Sequence, residues 1–138
     1  EAYVNSLSGH GPLTLHSGSG LTTDNRTSAH GVNVMLEDMF HQSALFPSFV
    51  ASFQSPANGV MRFIRRGSPT FQNNVMLKTG TLNQPFAVRA LAGYFRTAQG
   101  RWGVFSVLVN GTGSTPYLSW PEVLDPLSLD LEAMILAN

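Results

Sequence analysis

The chain has 138 residues, 43% of them apolar, and eight basic side chains balance eight acidic ones. That is room for one packed domain, or the larger part of one, and it excludes a disordered tail. Charged residues make up only 12% of the chain, so it carries no electrostatic footprint for nucleic acid or acidic lipid.

Cysteine is absent, which rules out a disulfide framework and any thiolate metal site. No run of about 18 apolar residues occurs, and the opening "EAYVNSLSGHG" lacks a basic segment followed by an apolar one, so neither a transmembrane segment nor a signal peptide is visible. An exported form is expected to carry its signal upstream of Glu1.

Residues 1–27 are rich in Gly, Ser, Thr and Asn and read as a loop that carries "SGSGLTTDN". Over 28–60 the pattern turns helical: Val32, Met35, Leu36, Met39 and Phe40 share one face, which predicts a helix from Ala29 to Gln42 with Ser28 or Thr27 as N-cap. A shorter helix is predicted over "FPSFVASFQ", with Pro47 in its first turn and "SPANG" ending it. Arg62, Arg65 and Arg66 in "VMRFIRRGSP" read as a solvated basic turn.

Residues 74–110 predict a three-stranded antiparallel sheet: Asn74–Leu82, Phe86–Thr97 and Trp102–Asn110, joined at "NQP" and "AQGR". In the second strand Val88, Ala90, Ala92 and Tyr94 share one face and Arg89, Leu91, Gly93 and Phe95 the other; both are mainly apolar, so both are expected to be covered. Arg89 and Arg96 read as charges at a strand end or groove edge, and Trp102 and Trp120 as packing anchors. A final helix is predicted over 125–137, with Asp125 as N-cap, Pro126 at the first position and a stripe of Leu127, Leu131, Met134 and Ile135. The whole predicts one domain, residues 1–138, of α/β (α+β) class, its antiparallel sheet flanked by helices.

The only lysine of the chain, Lys78, stands directly before Thr79 and Gly80 in "NVMLKTGTLNQ". Near a strand end, Lys-Thr-Gly offers an ammonium and a hydroxyl to a carboxylate, and glycine leaves clearance for a ligand backbone on the strand edge. The loop "SGSGLTTDN" adds the hydroxyls of Ser19, Thr22 and Thr23 and the carboxamide of Asn25, groups suited to relaying a proton and holding a substrate amide. These are two of the three elements, in order, of the set S-x-x-K, S-D-N and K-T-G of penicillin-recognising serine enzymes.

"GSGLTTDNRTSAHGVNVML", "LKTGTL" and "VRALAGYFRTAQGRWGVFSVLVNG" together resemble the class C low-molecular-mass penicillin-binding proteins, the D-alanyl-D-alanine carboxypeptidase/endopeptidase family, from about Leu15 to Gly111. The resemblance implies the C-terminal part of a penicillin-recognising serine peptidase fold, with an acyl-enzyme mechanism and an extracytoplasmic or periplasmic location. It implies that Lys78 and Thr79 bind the carboxylate of a peptidoglycan stem peptide ending in D-Ala-D-Ala, or of a β-lactam. Gly80 would allow close approach, the N–H of Thr81 would supply an oxyanion-hole donor, and Asn25 would contact the substrate amide. Thr22 or Thr23 stands where the family has serine.

No Ser-x-x-Lys exists in the chain, because the residue three positions before Lys78 is Val75. His10, His16, His30 and His41 show neither triad nor metal spacing, so no nucleophile, metal or cofactor is expected within these residues. The N-terminal part of the enzyme, as the same or a separate chain, is expected to bring the nucleophile and the strands that pair with Trp102–Asn110. Two other readings stay open: a non-catalytic peptidoglycan- or peptide-binding module, and an α+β domain in which Lys78 merely solvates a strand end.

Overall fold

The computed structural model describes residues 1–138 and contains five α-helices, α1 (Ala2–Asn5), α2 (Ala29–His41), α3 (Phe46–Ala51), α4 (Pro69–Asn74) and α5 (Trp120–Ala137). Its three strands, β1 (Val75–Leu82), β2 (Val88–Arg96) and β3 (Trp102–Asn110), form one antiparallel sheet in the order β1-β2-β3. The register runs from Val75 opposite Phe95 to Leu82 opposite Val88, and from Val88 opposite Asn110 to Arg96 opposite Trp102.

Strand alternation sends successive side chains to opposite faces, and both faces are covered, as their apolarity predicts. On one, Leu77, Leu91, Phe95 and Phe105 pack with Phe71 of α4 and with Val123, Leu124, Leu131 and Ile135 of α5. Leu77, Phe71 and Leu124 are completely enclosed, each worth about 1.5–3 kcal/mol relative to exposure. On the other face Tyr94 lies within 5.2–6.5 Å, ring centroid to centroid, of Phe46, Phe49, Phe53 and Trp102. Its hydroxyl donates to the carbonyl of Leu36 at 2.6 Å, and the Ser106 hydroxyl donates to that of Ala29 at 2.6 Å, so α2 is fastened to the sheet by two side-chain bonds.

Helix α2 starts as its pattern predicts: the Ser28 hydroxyl accepts from the N–H of Gly31 at 2.9 Å. Several predicted boundaries move. Helix α3 stops at Ala51, and Asn74 closes α4 instead of opening β1. The basic turn contains a short 3-10 helix, Arg62–Ile64, anchored by a fully buried Ile64. Arg66 there is paired with Asp125 through two bonds, at 2.5 and 2.9 Å.

The largest corrections concern the last helix and Arg89. Helix α5 begins six residues before the predicted cap and first position, with Ser119 as N-cap and the Glu122 carboxylate accepting from both the N–H and the hydroxyl of Ser119, each at 2.7 Å. Pro126 therefore lies inside the helix, and Asp125 is an ion-pair partner, not a cap. The buried stripe is Val123, Leu124, Ser128, Leu131 and Ile135, while Met134 is 47% exposed. Arg89, expected as a charge at a strand end or groove edge, does lie at a strand end, second in β2, but it has no exposed surface at all.

The two sheet edges differ. The outer edge of β1 is bridged at one point, where the N–H of Gln54 donates to the carbonyl of Leu77 at 2.7 Å and the N–H of Leu77 to that of Gln54 at 2.8 Å. Propagating that geometry through the register turns the main-chain groups of Trp102, Val104, Ser106, Leu108 and Asn110 away from β2, onto the β3 edge, where no strand pairs with them.

Candidate active site

Because Leu77 directs its N–H and C=O outward to Gln54, antiparallel alternation directs those of Thr79 and Thr81 to the same outer edge. Beyond the Gln54 bridge this edge is open. The ammonium of Lys78, on an exposed side chain, donates to the carbonyl of Thr79 at 2.7 Å, which brings the chain's single lysine charge to the edge itself. The side chain of Lys78 rises from the face of β1 that Gly80 leaves bare, those of Thr79 and Thr81 from the other. The Thr79 hydroxyl meets the sulfur of Met61 at 3.9 Å, and Trp120 Nε1 donates to the Thr81 hydroxyl at 3.2 Å.

Gly80 has no reason within the fold to be glycine. Its φ lies outside the left-handed region, and a Cβ there would sit 3.6 Å from Cβ of Ala90, an ordinary contact. The cross-strand partners of Lys78 and Gly80 are Ala92 and Ala90, so this face of the edge is kept low. An ammonium on one face, a hydroxyl on the other and outward main-chain groups between them thus lie together at this edge.

The second group of predicted residues lies elsewhere. Paired backbone bonds between Thr14 and Arg26, 2.9 and 2.8 Å, close a loop. Inside it, Asn25 Oδ1 accepts from the N–H groups of His16 and Ser17 at 2.8 and 3.2 Å, while its Nδ2 donates to the Ser17 carbonyl at 2.9 Å. The Thr22 hydroxyl donates to Asp24 Oδ2 and accepts from the Asp24 N–H, both at 3.1 Å, and the Thr23 carbonyl accepts from Arg26. Thr22, Thr23 and Asn25 line a cavity of about 420 Å³ whose opposite wall is Phe86, Val88, Leu108 and Asn110. Lys78, Thr79, Gly80 and Thr81 do not line it, so the structure gathers the predicted residues into two groups and not one.

Four residues that sequence reasoning did not assign to the site prove to shape it: Gln54 and Met61 beside the β1 edge, and Trp120 and Arg89 at its far end. Strand alternation had put Arg89 on a covered face. For Gln54 no signal existed, since the bridge uses only its backbone. No three His, Asp or Glu side chains converge to hold a metal ion, and His10 is buried against Gly31, its Nε2 3.0 Å from where a Cβ of that glycine would be.

The family model described as D-Ala-D-Ala carboxypeptidase 3 (S13) matches residues 5–123 of the chain. No curated protein matches it, and no solved structure does.

Proposed function

Because the chain belongs to the D-Ala-D-Ala carboxypeptidase 3 (S13) family, we propose that it forms the substrate-binding wall of a serine-type D-Ala-D-Ala carboxypeptidase/endopeptidase acting on peptidoglycan stem peptides. The observation that carries the reading is the open stretch of β1 beyond Gln54, with Lys78 reaching its rim. A stem peptide adds to this edge as an extra strand, pairing with the main chain of Thr79 and Thr81. Its terminal carboxylate is held by the Lys78 ammonium and the Thr79 hydroxyl. Gly80 leaves the clearance, and the N–H of Thr81 faces the oxygen that becomes negative on acylation. A β-lactam, which also carries a carboxylate beside a reactive carbonyl, takes the same place.

The internal bonds of Asn25 favour loop closure as its resting role, so contact with a substrate amide requires it to release His16 or Ser17. Thr22 and Thr23 keep their hydroxyl-bearing positions in the cavity wall. With no Ser-x-x-Lys among the 138 residues, the nucleophile and its lysine base come from N-terminal polypeptide outside them, which also supplies the strand that covers the β3 edge. Work on peptidoglycan places the enzyme outside the cytoplasm, in the periplasm or its equivalent; no helix here is long and apolar enough to cross a membrane. The missing Ser-x-x-Lys also fits a second reading, a non-catalytic peptidoglycan-binding module.

Labelled penicillin separates these readings. The chain alone should stay unlabelled, the complete polypeptide should be acylated, and Lys78→Ala in the latter should slow acylation while stability changes by no more than about 0.5 kcal/mol. Covalent labelling of the isolated chain would refute the external nucleophile. Unchanged acylation by Lys78→Ala would remove β1 as the carboxylate site, and an unreactive complete polypeptide that still binds stem peptide would establish the binding module.

A further inference from the structure

Arg89 stands directly across from Thr81 in the β1–β2 ladder and is completely buried, yet no carboxylate is bonded to it. Its Nη1 donates to the carbonyls of Leu82 and Val88 at 2.9 and 3.0 Å, and its Nη2 donates to Asn83 Oδ1 at 2.7 Å. The guanidinium carbon lies 5.4 Å from the ring centroid of Tyr117 and 5.9 Å from that of Trp120. Nε has no partner. A buried cation compensated only by carbonyls and ring faces is an expensive way to fill space, and an apolar side chain of similar volume would do so at lower cost.

What the guanidinium adds is geometry. One planar fork holds the last residue of β1, the turn after it and the first residue of β2, so the two strand ends cannot splay. The ring it faces, Trp120, donates from Nε1 to the Thr81 hydroxyl at 3.2 Å. The chain of contacts Arg89, Trp120, Thr81 therefore ends on the residue that closes the open edge. At the other end of that edge Leu77 is already fixed by Gln54 and the core.

We propose that Arg89 is a positioning residue, which clamps the end of β1 against Trp120 and so holds the Thr81 N–H in its outward orientation. The catalytic consequence rests on the assignment of the β1 edge to substrate; the clamp itself does not.

The test has two arms. In the 138-residue chain, ¹⁵N relaxation on Arg89→Met should lower the order parameters of Thr81 and Leu82 from about 0.85 to below about 0.6, with Val75–Leu77 unchanged. Trp120→Phe, which keeps a ring and removes the Nε1 donor, should loosen Thr81 alone, and Arg89→Lys should recover part of the order. In the complete polypeptide, Arg89→Met should cut the rate constant of penicillin acylation at least about fivefold while noncovalent affinity changes less than about twofold. Unchanged order at Thr81 overturns the clamp, and lowered order with an unchanged acylation rate overturns its catalytic role. Should Arg89→Met not fold, Trp120→Phe and Arg89→Lys carry the same comparison. If instead Lys78→Ala leaves acylation untouched, the assignment of β1 fails, and the relaxation arm still decides the clamp.

Discussion

Gly80→Ala separates the needs of the fold from those of the ligand. An added Cβ meets only Cβ of Ala90 at 3.6 Å and the Ala90 carbonyl at 3.9 Å, both ordinary contact distances, and φ is not in the left-handed region. No packing penalty follows, while the unfolded chain loses conformational freedom. Replacing glycine by alanine at such a compatible site is worth about 0.4–1 kcal/mol of stability, which for a domain of this size raises the melting temperature by about 1–4 °C. A methyl group projecting beside the open edge should nevertheless keep a ligand strand from closing on Thr79 and Thr81. A loss of about 1.4 kcal/mol in ligand binding is tenfold in affinity. Thermal denaturation followed by circular dichroism, and penicillin acylation of the complete polypeptide, measure the two effects. A fall in melting temperature of more than about 3 °C would show that the fold itself demands glycine. An unchanged acylation rate in a folded variant would show that clearance at Gly80 is irrelevant to the ligand.

Ser119→Ala should cost about 0.5–1 kcal/mol in chemical denaturation by weakening the start of α5, and Asp125→Ala should leave the helicity of α5 intact; a larger helical loss from Asp125→Ala would restore Asp125 as the cap. The bonds from Ser119 hold the Glu122 carboxyl below its ordinary value of 4.5. Its stabilising contribution is therefore present above about pH 4.5 and is lost as pH falls through the lower folded value, so the stability gap between wild type and Glu122→Gln should narrow as pH falls below about 4.5. A gap independent of pH would refute the cap. Burial, with a smaller contribution from Tyr3, pushes the Tyr94 phenol up to about 12, so Tyr94 should stay un-ionised to high pH in a spectrophotometric titration. Tyr94→Phe should cost about 0.5–1.5 kcal/mol for the bond to Leu36, and a neutral result would mean that this bond contributes nothing net.

Where one element produces its own signal, the sequence was sufficient. The 3.6-residue spacing from Val32 to Phe40 and the β-branched, aromatic run of β3 identify α2 and β3 because each is shaped by its own buried stripe or face. The start of α5 failed for a local reason. Asp125-Pro126 reads as a cap and first residue, but Ser119-Trp120-Pro121-Glu122 carries the fuller signal, a capping box with proline in the first turn, and the packing of Val123 and Leu124 into the core agrees with it. The lost interior hydrogen bond at Pro126 is the cost of that choice. Lys78-Thr79-Gly80 was legible as chemistry, but its openness was not, since Gln54 reaches Leu77 through backbone atoms that any residue possesses. The separation of Asn25 from Lys78 was equally invisible, because loop closure between Thr14 and Arg26 depends on main-chain bonds.

The Gln54 bridge also acts as a ruler. It occupies the outward groups of Leu77, and strand residues advance by about 3.4 Å each, so an added strand meets an already filled position one repeat beyond Thr79. Only Thr79 and Thr81 are left to accept partners on that edge. If β1 is the substrate edge proposed above, a peptide that lays its terminus at Lys78 fits this span, whereas one that continues past Thr79 runs into Gln54. A single backbone bridge thus makes the edge finite, and under that proposal a finite edge would favour the end of a chain over its middle.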